Sequence, residues 1–456
     1  MRSPGPGRTS THPVTDYEQK KAALKDQWPA AGGHIRLAKA TVSNLFRYQS
    51  ASAPVQRVSL GQFNEVIALD SATRTLDVEG LATFETIVAH SLPLGFLPPV
   101  TPELKHITIG GATVGIGIES TCFRHGFVHD ALLEAEVLLP GGDIVTCTAD
   151  NEYSDLFKGL PNSYGTLGYI LRARLALIPA RPFVHLRIER LDSSREFLDA
   201  MQRATSQPDA DFVEGLFFED RRFYLMTGRF ADEVPQVDDI LREHVFYQLV
   251  QARRDIHLAT TDYIFRYDPE WFWNIPDTPL YRLFRRHAPR RFRNSGFYTR
   301  YAAWKGRLRE RIPVLAPAST EPLIQDWEVP WGRSEELLDF CLREVELDGR
   351  PWAVVPIRTP RQPTLYPIAA DTLYFNLGCY CQVRRADGRE PYHYSKIMDQ
   401  KCFELGGIKM LYSSTFLDRA EFDARFNGAI YRALKAKYDP RSQAPTLYEK
   451  VALNEV

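Results

Sequence analysis

The sequence predicts an α+β protein of two domains, and three observations carry that reading. A chain of 456 residues, 44% of them hydrophobic, is long enough for two or three cores at roughly 100–200 residues per domain. Up to Pro179, short β-branched and apolar runs alternate with short helical stretches. Around Pro182 the character changes, and strands of a second sheet mix with longer helices.

Taken in order, residues 1–15 are polar and rich in Gly, Pro, Ser and Thr, which predicts disorder. Asp16–Gln27 reads as a short charged helix. Arg57–Leu60, Val66–Leu69 and Thr75–Val78 read as strands separated by turn-prone residues. Phe84–Ser91 is a helix, and Leu94–Pro99 a proline-flanked strand. Ala131–Leu139 and Ile144–Thr148 pair as a hairpin across Pro140-Gly141-Gly142-Asp143. Asp155–Lys158 starts a short helix, and Gly168–Ile178 is a long alternating strand. Beyond Pro182, Val184–Arg190, Phe212–Phe218, Phe223–Thr227, Trp352–Ile357 and Leu373–Val383 read as strands. Glu335–Glu346, Pro391–Gly406 and Arg419–Tyr438 read as helices. The domains follow as 16–180 and 181–390, with a C-terminal segment 391–456.

Composition narrows the function. A formal net charge of -1 gives no reason to expect a nucleic-acid partner. The six cysteines show no zinc-ligand spacing, so no metal is expected. Cys379 and Cys381 share one face of a strand and read as small core residues. No run approaches the ~20 apolar residues that span a bilayer, and no signal-peptide core is present. The expected location is cytoplasmic, either soluble or peripheral to a membrane.

The chemistry concentrates in two glycine-rich stretches. In Thr108-Ile109-Gly110-Gly111-Ala112-Thr113-Val114-Gly115-Ile116-Gly117-Ile118-Glu119-Ser120, continuing to Gly126, four glycines let backbone approach a bound group and offer it N–H donors. Taken alone, such a cluster is a tight turn between strands. It has neither the Gly-Lys-Ser/Thr of a P-loop nor the third glycine of a Rossmann fingerprint. The second stretch, Pro161–Ile170, adds Ser163, Tyr164, Gly165, Thr166 and Gly168 ahead of a strand. Two such clusters flanking one hairpin point to a single polar ligand.

Together with Asn64–Asp70, Thr75–Gly80, Pro98–Glu103 and Asn151–Phe157, these stretches resemble the FAD-binding domain of the p-cresol methylhydroxylase and vanillyl-alcohol oxidase superfamily. Within it, the nearest resemblance is to Δ24-sterol reductase (seladin)-like proteins and to bacterial reductases of methylene-branched fatty acyl chains. Weaker matches continue through Phe212–Gly215, Asp262–Trp273 and Trp352–Pro356. The resemblance implies a two-domain PCMH-type FAD-binding fold with a mixed-sheet cap (substrate) domain, and a C-terminal segment that returns to the flavin domain. It implies that Ile109–Glu119 wraps the FAD pyrophosphate and that Ser163–Ile170 lies along the ribityl and adenine side. The loop containing Arg36, Lys39, Ser43 and Asn44 would complete the cradle. The Arg-Gly-Gly-His loop whose histidine bonds covalently to flavin in many relatives is missing. FAD is therefore expected to be non-covalent; His125 and His129 are the alternative attachment points and are read as structural.

The resemblance further implies reduction of an isolated C=C bond of a lipid, with NADPH as donor. A methylene-branched acyl chain is the leading substrate and a Δ24-sterol the alternative. An alcohol or sugar oxidase, and a non-catalytic flavin- or lipid-binding module, are the other readings. Tyr374, Asn376, His393 and Lys409 are the catalytic candidates, with Tyr380, Lys396 and Tyr412 as further pocket residues. Arg282–Arg311 mixes arginines with aromatic rings in a way that suits an anionic membrane surface or a solvated helix pair. A lipid methyltransferase would be a natural partner for the acyl-chain reading.

Overall fold

The computed structural model describes residues 13–28, 35–38, 56–240, 245–269, 320–347, 349–384 and 388–453, with 279, 280, 283, 287, 289, 292, 294–297 and 300. Lys39, Ser43 and Asn44 and much of Arg282–Arg311 lie outside these residues. Arg36 lies within the strand Ile35–Ala38.

The first helix, Pro13–Gln27, begins three residues earlier than the charge pattern predicts. Its Tyr17 and Leu24 are buried against Phe63 and Ile67. Strands β1 (Ile35–Ala38) and β2 (Gln56–Ser59) pair in parallel. Strands β3 (Val66–Asp70), β4 (Thr75–Glu79), β6 (Leu132–Leu138), β7 (Ile144–Thr148) and β8 (Tyr169–Ala176) form a five-stranded sheet in the order β3-β4-β8-β6-β7. The predicted strand at Leu94–Pro99 shrinks to β5 (Phe96–Leu97), because Leu92–Leu94 forms a 3₁₀ turn closed by left-handed Gly95. It pairs with β9 (Ile178–Pro179).

The second sheet has eight strands, ordered β13-β10-β12-β11-β15-β16-β14-β17. These are β10 (Phe183–Leu191), β11 (Phe212–Phe217), β12 (Phe223–Ala231), β13 (Asp255–Ala259), β14 (Thr320–Pro330), β15 (Trp352–Ile357), β16 (Tyr374–Arg384) and β17 (Ile408–Lys409). All its described pairings are antiparallel. The sequence reading missed β13, β14 and β17 and the amphipathic helix Ser194–Ala204.

The two-residue side-chain period decides what each face of this sheet meets. Leu323, Trp327 and Val329 of β14, Trp352 and Val354 of β15, and Phe375, Leu377, Cys379 and Cys381 of β16 join one core. That core is closed by helices Ser194–Ala204, Ser334–Glu344 and His393–Glu404. All six cysteines are buried and free, and Cys379 and Cys381 sit in this core as apolar residues, their sulfurs 3.2 Å apart. The alternate residues, Glu214, Asp326, Glu328, Asn376 and Tyr380, point to the other face.

One predicted helix divides. Arg419–Tyr438 becomes Arg419–Arg425 and Gly428–Tyr438, because Asn427 adopts left-handed φ 52°. Its amide donates to Thr364 O, which holds the break. The second piece packs on the smaller sheet's side: Tyr431 Oη reaches Thr166 Oγ1 at 2.9 Å, and Lys435 Nζ reaches Thr166 O at 2.8 Å.

Candidate functional site

The two glycine-rich stretches meet. Thr108 caps the short helix Ile109–Val114 by accepting from Gly111 N. Tyr164 N donates to Val114 O, and Tyr164 Oη to Gly115 O. The turn between them is tight, with left-handed backbone at Ile116 (φ 58°), Asn162 (63°), Tyr164 (51°) and Gly165 (75°). For a β-branched residue such as Ile116 that conformation is costly.

The glycines, however, do different jobs. A Cβ at Gly80 would lie 1.8 Å from Ile170 O, and one at Gly110 would lie 2.7 Å from Gly80 O. Three backbones therefore touch here, and glycine is required by the chain's own packing. Gly117 is likewise filled, since its Cβ would meet Val128 Cγ2 at 2.6 Å. Gly111 differs, because its nearest obstacle is only the Thr108 hydroxyl at 3.0 Å. Of the residues expected at the cofactor, Ile109 and Ile170 are core residues. Thr113 and Thr166 spend their hydroxyls on Ile109 O and Ser163 O. Ser163 Oγ, Asn162 Oδ1 and Thr121 Oγ1 are buried and find no hydrogen-bond partner among the described residues. Buried polar atoms are seldom left so, and these fit the polar groups of a dinucleotide.

Beyond Gly117 the chain turns toward the larger sheet. Glu119 and Ser120 meet a buried cluster from its other face. Arg266 Nη2 lies 2.6 Å from Glu214 Oε2 and 3.1 Å from Glu119 Oε2. Tyr263 donates to Glu214 and bonds Ser120 Oγ, and Tyr267 donates to Glu214 as well. Burial raises the Glu119 carboxyl despite Arg266. It raises Glu103 further, with the Glu119 charge adding to the effect. A small open pocket lies beside them, walled by Leu97, Ile178, Phe212, Phe230 and Ile264 with Glu119 and Arg266 at its polar side.

A second cluster lies farther along the same face. Asp326 Oδ2 accepts from Tyr412 Oη at 2.6 Å and Tyr380 Oη at 2.9 Å, and Oδ1 from Asn376 Nδ2 at 2.9 Å. The two tyrosine rings are parallel, with centroids 6.4 Å apart. Two positions along β14, Glu328 accepts from Tyr366 Oη. Burial raises both carboxyls, and Asp326 raises Glu328 further.

The structure thus brings Asn376, Tyr380 and Tyr412 together and separates the other candidates. Tyr374 Oη is taken by the Ala369 amide. His393 opens the helix on the opposite face, its ring 2.6 Å from Arg389 and its amide on Glu321. Lys409 pairs with Asp399 of that helix at 2.6 Å, and Lys396 with Glu390 at 3.0 Å. Lys409 lies behind the sheet because it stands opposite Trp327 in the ladder, and Trp327 faces the helices. The residues missed were Glu103, Glu214, Arg266, Asp326 and Glu328. One signal was available: Asp326 and Glu328 alternate within the strand-like run Leu323–Val329.

Comparison with known proteins agrees with this geometry. Residues 41–148 match the family model described as an FAD binding domain. The chain is 26% identical over 408 residues to the Delta(24)-sterol reductase of Macaca fascicularis, covering 85% of this chain and 76% of that protein. It is 23% identical over 439 residues to the Delta(24)-sterol reductase homolog of Caenorhabditis elegans, covering 89% and 81%. A shorter similarity, 29% over 155 residues, links it to cytokinin dehydrogenase 9 of Oryza sativa subsp. japonica, covering 34% and 30%.

Proposed function

We propose that this two-domain α+β flavoprotein, with its PCMH-type FAD-binding domain, reduces an isolated C=C bond of a lipid with NADPH as electron donor. It is an FAD-dependent oxidoreductase by its FAD-binding domain and its similarity to Delta(24)-sterol reductases along most of its length. The observation that favours alkene reduction is the set of buried carboxyls Glu119, Asp326 and Glu328, all raised by burial, with the less buried Glu103 raised as well. Saturating an alkene consumes one hydride and one proton, so the site needs an acid.

FAD, when bound, supplies the hydride. On this reading Ser163, Thr121 and the backbone around Gly111 hold the cofactor non-covalently. Leu97, Ile178, Phe212 and Phe230 give the pocket beside Glu119 an apolar wall that an alkyl group would meet. An unpolarised alkene accepts a proton at its less substituted carbon only if the other carbon can bear tertiary positive charge. A Δ24-sterol side chain and a methylene-branched acyl chain both meet that need. The names of the relatives make the sterol the first substrate to try, and the branched acyl chain remains the second.

No described helix is long and apolar enough to cross a membrane. Peripheral contact through Arg282–Arg311, reinforced by the exposed Leu280 and Leu283, would give access to a lipid substrate, and a lipid methyltransferase would supply a methylene-branched one.

The test is anaerobic NADPH oxidation by the flavin-loaded protein, with a Δ24-sterol, a methylene-branched phospholipid, or neither. Oxidation only with an alkene present, with solvent deuterium at the less substituted carbon, supports the reading. Peroxide formed from an alcohol in air, with no alkene consumed, replaces it with an oxidase. Flavin that no donor reduces replaces it with a binding module.

A further inference from the structure

We infer that Lys435 and Tyr431 are positioning residues for the cofactor. From the helix Gly428–Tyr438 they hold the turn Pro161–Gly168 in the shape that offers Ser163 to the flavin, and so set how tightly FAD binds. The inference rests on the reading of Ser163 as a residue of the cofactor site.

The turn needs a hold from outside. Asn162, Tyr164 and Gly165 are all left-handed, at φ 63°, 51° and 75°. Asparagine and glycine accept that conformation readily, but a bulky tyrosine adopts it only where its surroundings impose it. On one flank the glycine-rich stretch binds Tyr164, through Val114 O and Gly115 O. The other flank is closed by Tyr431 and Lys435, which stand 265 and 269 positions from Thr166 along the chain.

The first of these two devices is a directed line of hydrogen bonds. Leu447 N donates to Tyr431 Oη at 2.8 Å, Tyr431 Oη to Thr166 Oγ1 at 2.9 Å, and Thr166 Oγ1 to Ser163 O at 2.7 Å. Each donor polarises the next, so the line strengthens as a unit. It ends on the carbonyl of the residue whose own hydroxyl is buried and has no partner among the described residues.

The second device is the Lys435 ammonium, on a residue only 7% exposed. Its three hydrogens are matched by Thr166 O at 2.8 Å, Ala444 O at 2.8 Å and Asp439 Oδ2 at 2.6 Å. Asp439 is itself fixed by the amides of Gln443 and Ala444. An ammonium withdrawn from water is costly unless it is paired, so its burial here is explained by what it joins: the cofactor turn and the chain that follows the helix. The helix is closely seated as well. A Cβ at Gly159 would come within 2.6 Å of Leu434 Cδ1, and Lys437 and Tyr438 both bond Asp155.

The test follows FAD release from the flavin-loaded full-length protein on serial dilution, where freed flavin regains its fluorescence, and reads the dissociation constant. Lys435→Met keeps the apolar stem and removes the ammonium. It should raise that constant by about tenfold or more, the scale of one charge-assisted hydrogen bond, with far-UV circular dichroism unchanged. Tyr431→Phe removes one hydroxyl and should weaken FAD binding in the same direction, which tests the inference if Lys435→Met folds poorly. Ser163→Ala should weaken it too, and Lys435→Met should cost less in that background than alone, because the lysine acts through the turn. Lys437→Met, on the same helix but bonded to Asp155, should bind FAD like the wild type. Wild-type affinity in both Lys435→Met and Tyr431→Phe, a Lys435→Met loss that adds in full to Ser163→Ala, or an equal loss in Lys437→Met overturns the inference and leaves the flavin reading standing. Wild-type affinity in Ser163→Ala removes Ser163 from the cofactor site and the inference with it. A wild-type protein that takes up no FAD overturns the flavin reading itself.

Discussion

Arg266 donates to Glu214 at 2.6 Å, and both side chains are almost wholly withdrawn from solvent. The same nitrogen reaches Glu119, so one guanidinium ties the glycine-rich stretch to the larger sheet. Removing one partner of a buried pair leaves a charge stranded, at a cost of about 3–5 kcal/mol. Arg266→Met should therefore unfold at markedly lower urea concentration than wild type. Adding Glu119→Gln and Glu214→Gln should recover most of the loss. No change in the single variant would show that the cluster is not closed in solution.

The glycines should sort into two classes. Gly80→Ala drives a methyl into Ile170 O and should lower stability by about 1–3 kcal/mol or more, as overpacking does. Gly117→Val should lose both the fold and the flavin, because Val128 fills the space. Gly111→Val should melt close to wild type yet lose its absorbance near 450 nm. A Gly111 variant that keeps its flavin would remove that residue from the cofactor site.

Lys409 is buried against Asp399 on the helix-covered side of the larger sheet. Lys409→Met strands Asp399 and should cost about 3–5 kcal/mol by chemical unfolding. Turnover per bound flavin should not change. Selective loss of turnover in a stable Lys409→Met protein would return Lys409 to the reaction.

His129 is buried against Phe127, and burial pushes its pKa down to about 4. The unfolded chain takes up a proton below about 6.5 and the folded chain does not until about 4. The stability tied to His129 is thus fully present above pH 6.5 and is lost as pH falls toward 4. The full difference is on the order of 3 kcal/mol, from the drop of about 2.5 between 6.5 and about 4 at 1.36 kcal/mol per pKa unit. Urea unfolding at pH 7 and pH 5 should show a smaller difference in His129→Gln than in wild type.

Leu280 and Leu283 are 76% and 57% exposed beside the arginine-rich stretch. Changing both to Ser should weaken sedimentation with vesicles of phosphatidylserine and phosphatidylcholine. Changing Arg285, Arg286, Arg290, Arg291 and Arg293 to Gln should do the same, and wild-type binding should fall with salt as screening shortens to ~8–10 Å. Unaltered sedimentation in both variants would reduce the segment to a solvated surface.

By itself, the sequence determined what depends on neighbours along the chain. The hairpin Leu132–Thr148 was legible because Pro140-Gly141-Gly142-Asp143 is a turn and its flanks alternate. Phe84–Ser91 and Trp352–Ile357 were legible from local periodicity, and the glycine-rich stretches from composition. Only the tertiary structure decided the buried carboxyl clusters. Strand β14 escaped notice because Asp326 and Glu328 interrupt its apolar run, and a carboxylate in a strand reads as solvent-facing. Their partners lie far along the chain: Asn376 is 50 residues from Asp326 and Tyr412 86, while Arg266 is 147 from Glu119. Burying these carboxyls is tolerable only where such distant donors converge. Which face of the sheet receives them is set by strand register, and register placed Lys409 on the helix-covered side and Asn376 and Tyr380 on the side of Asp326.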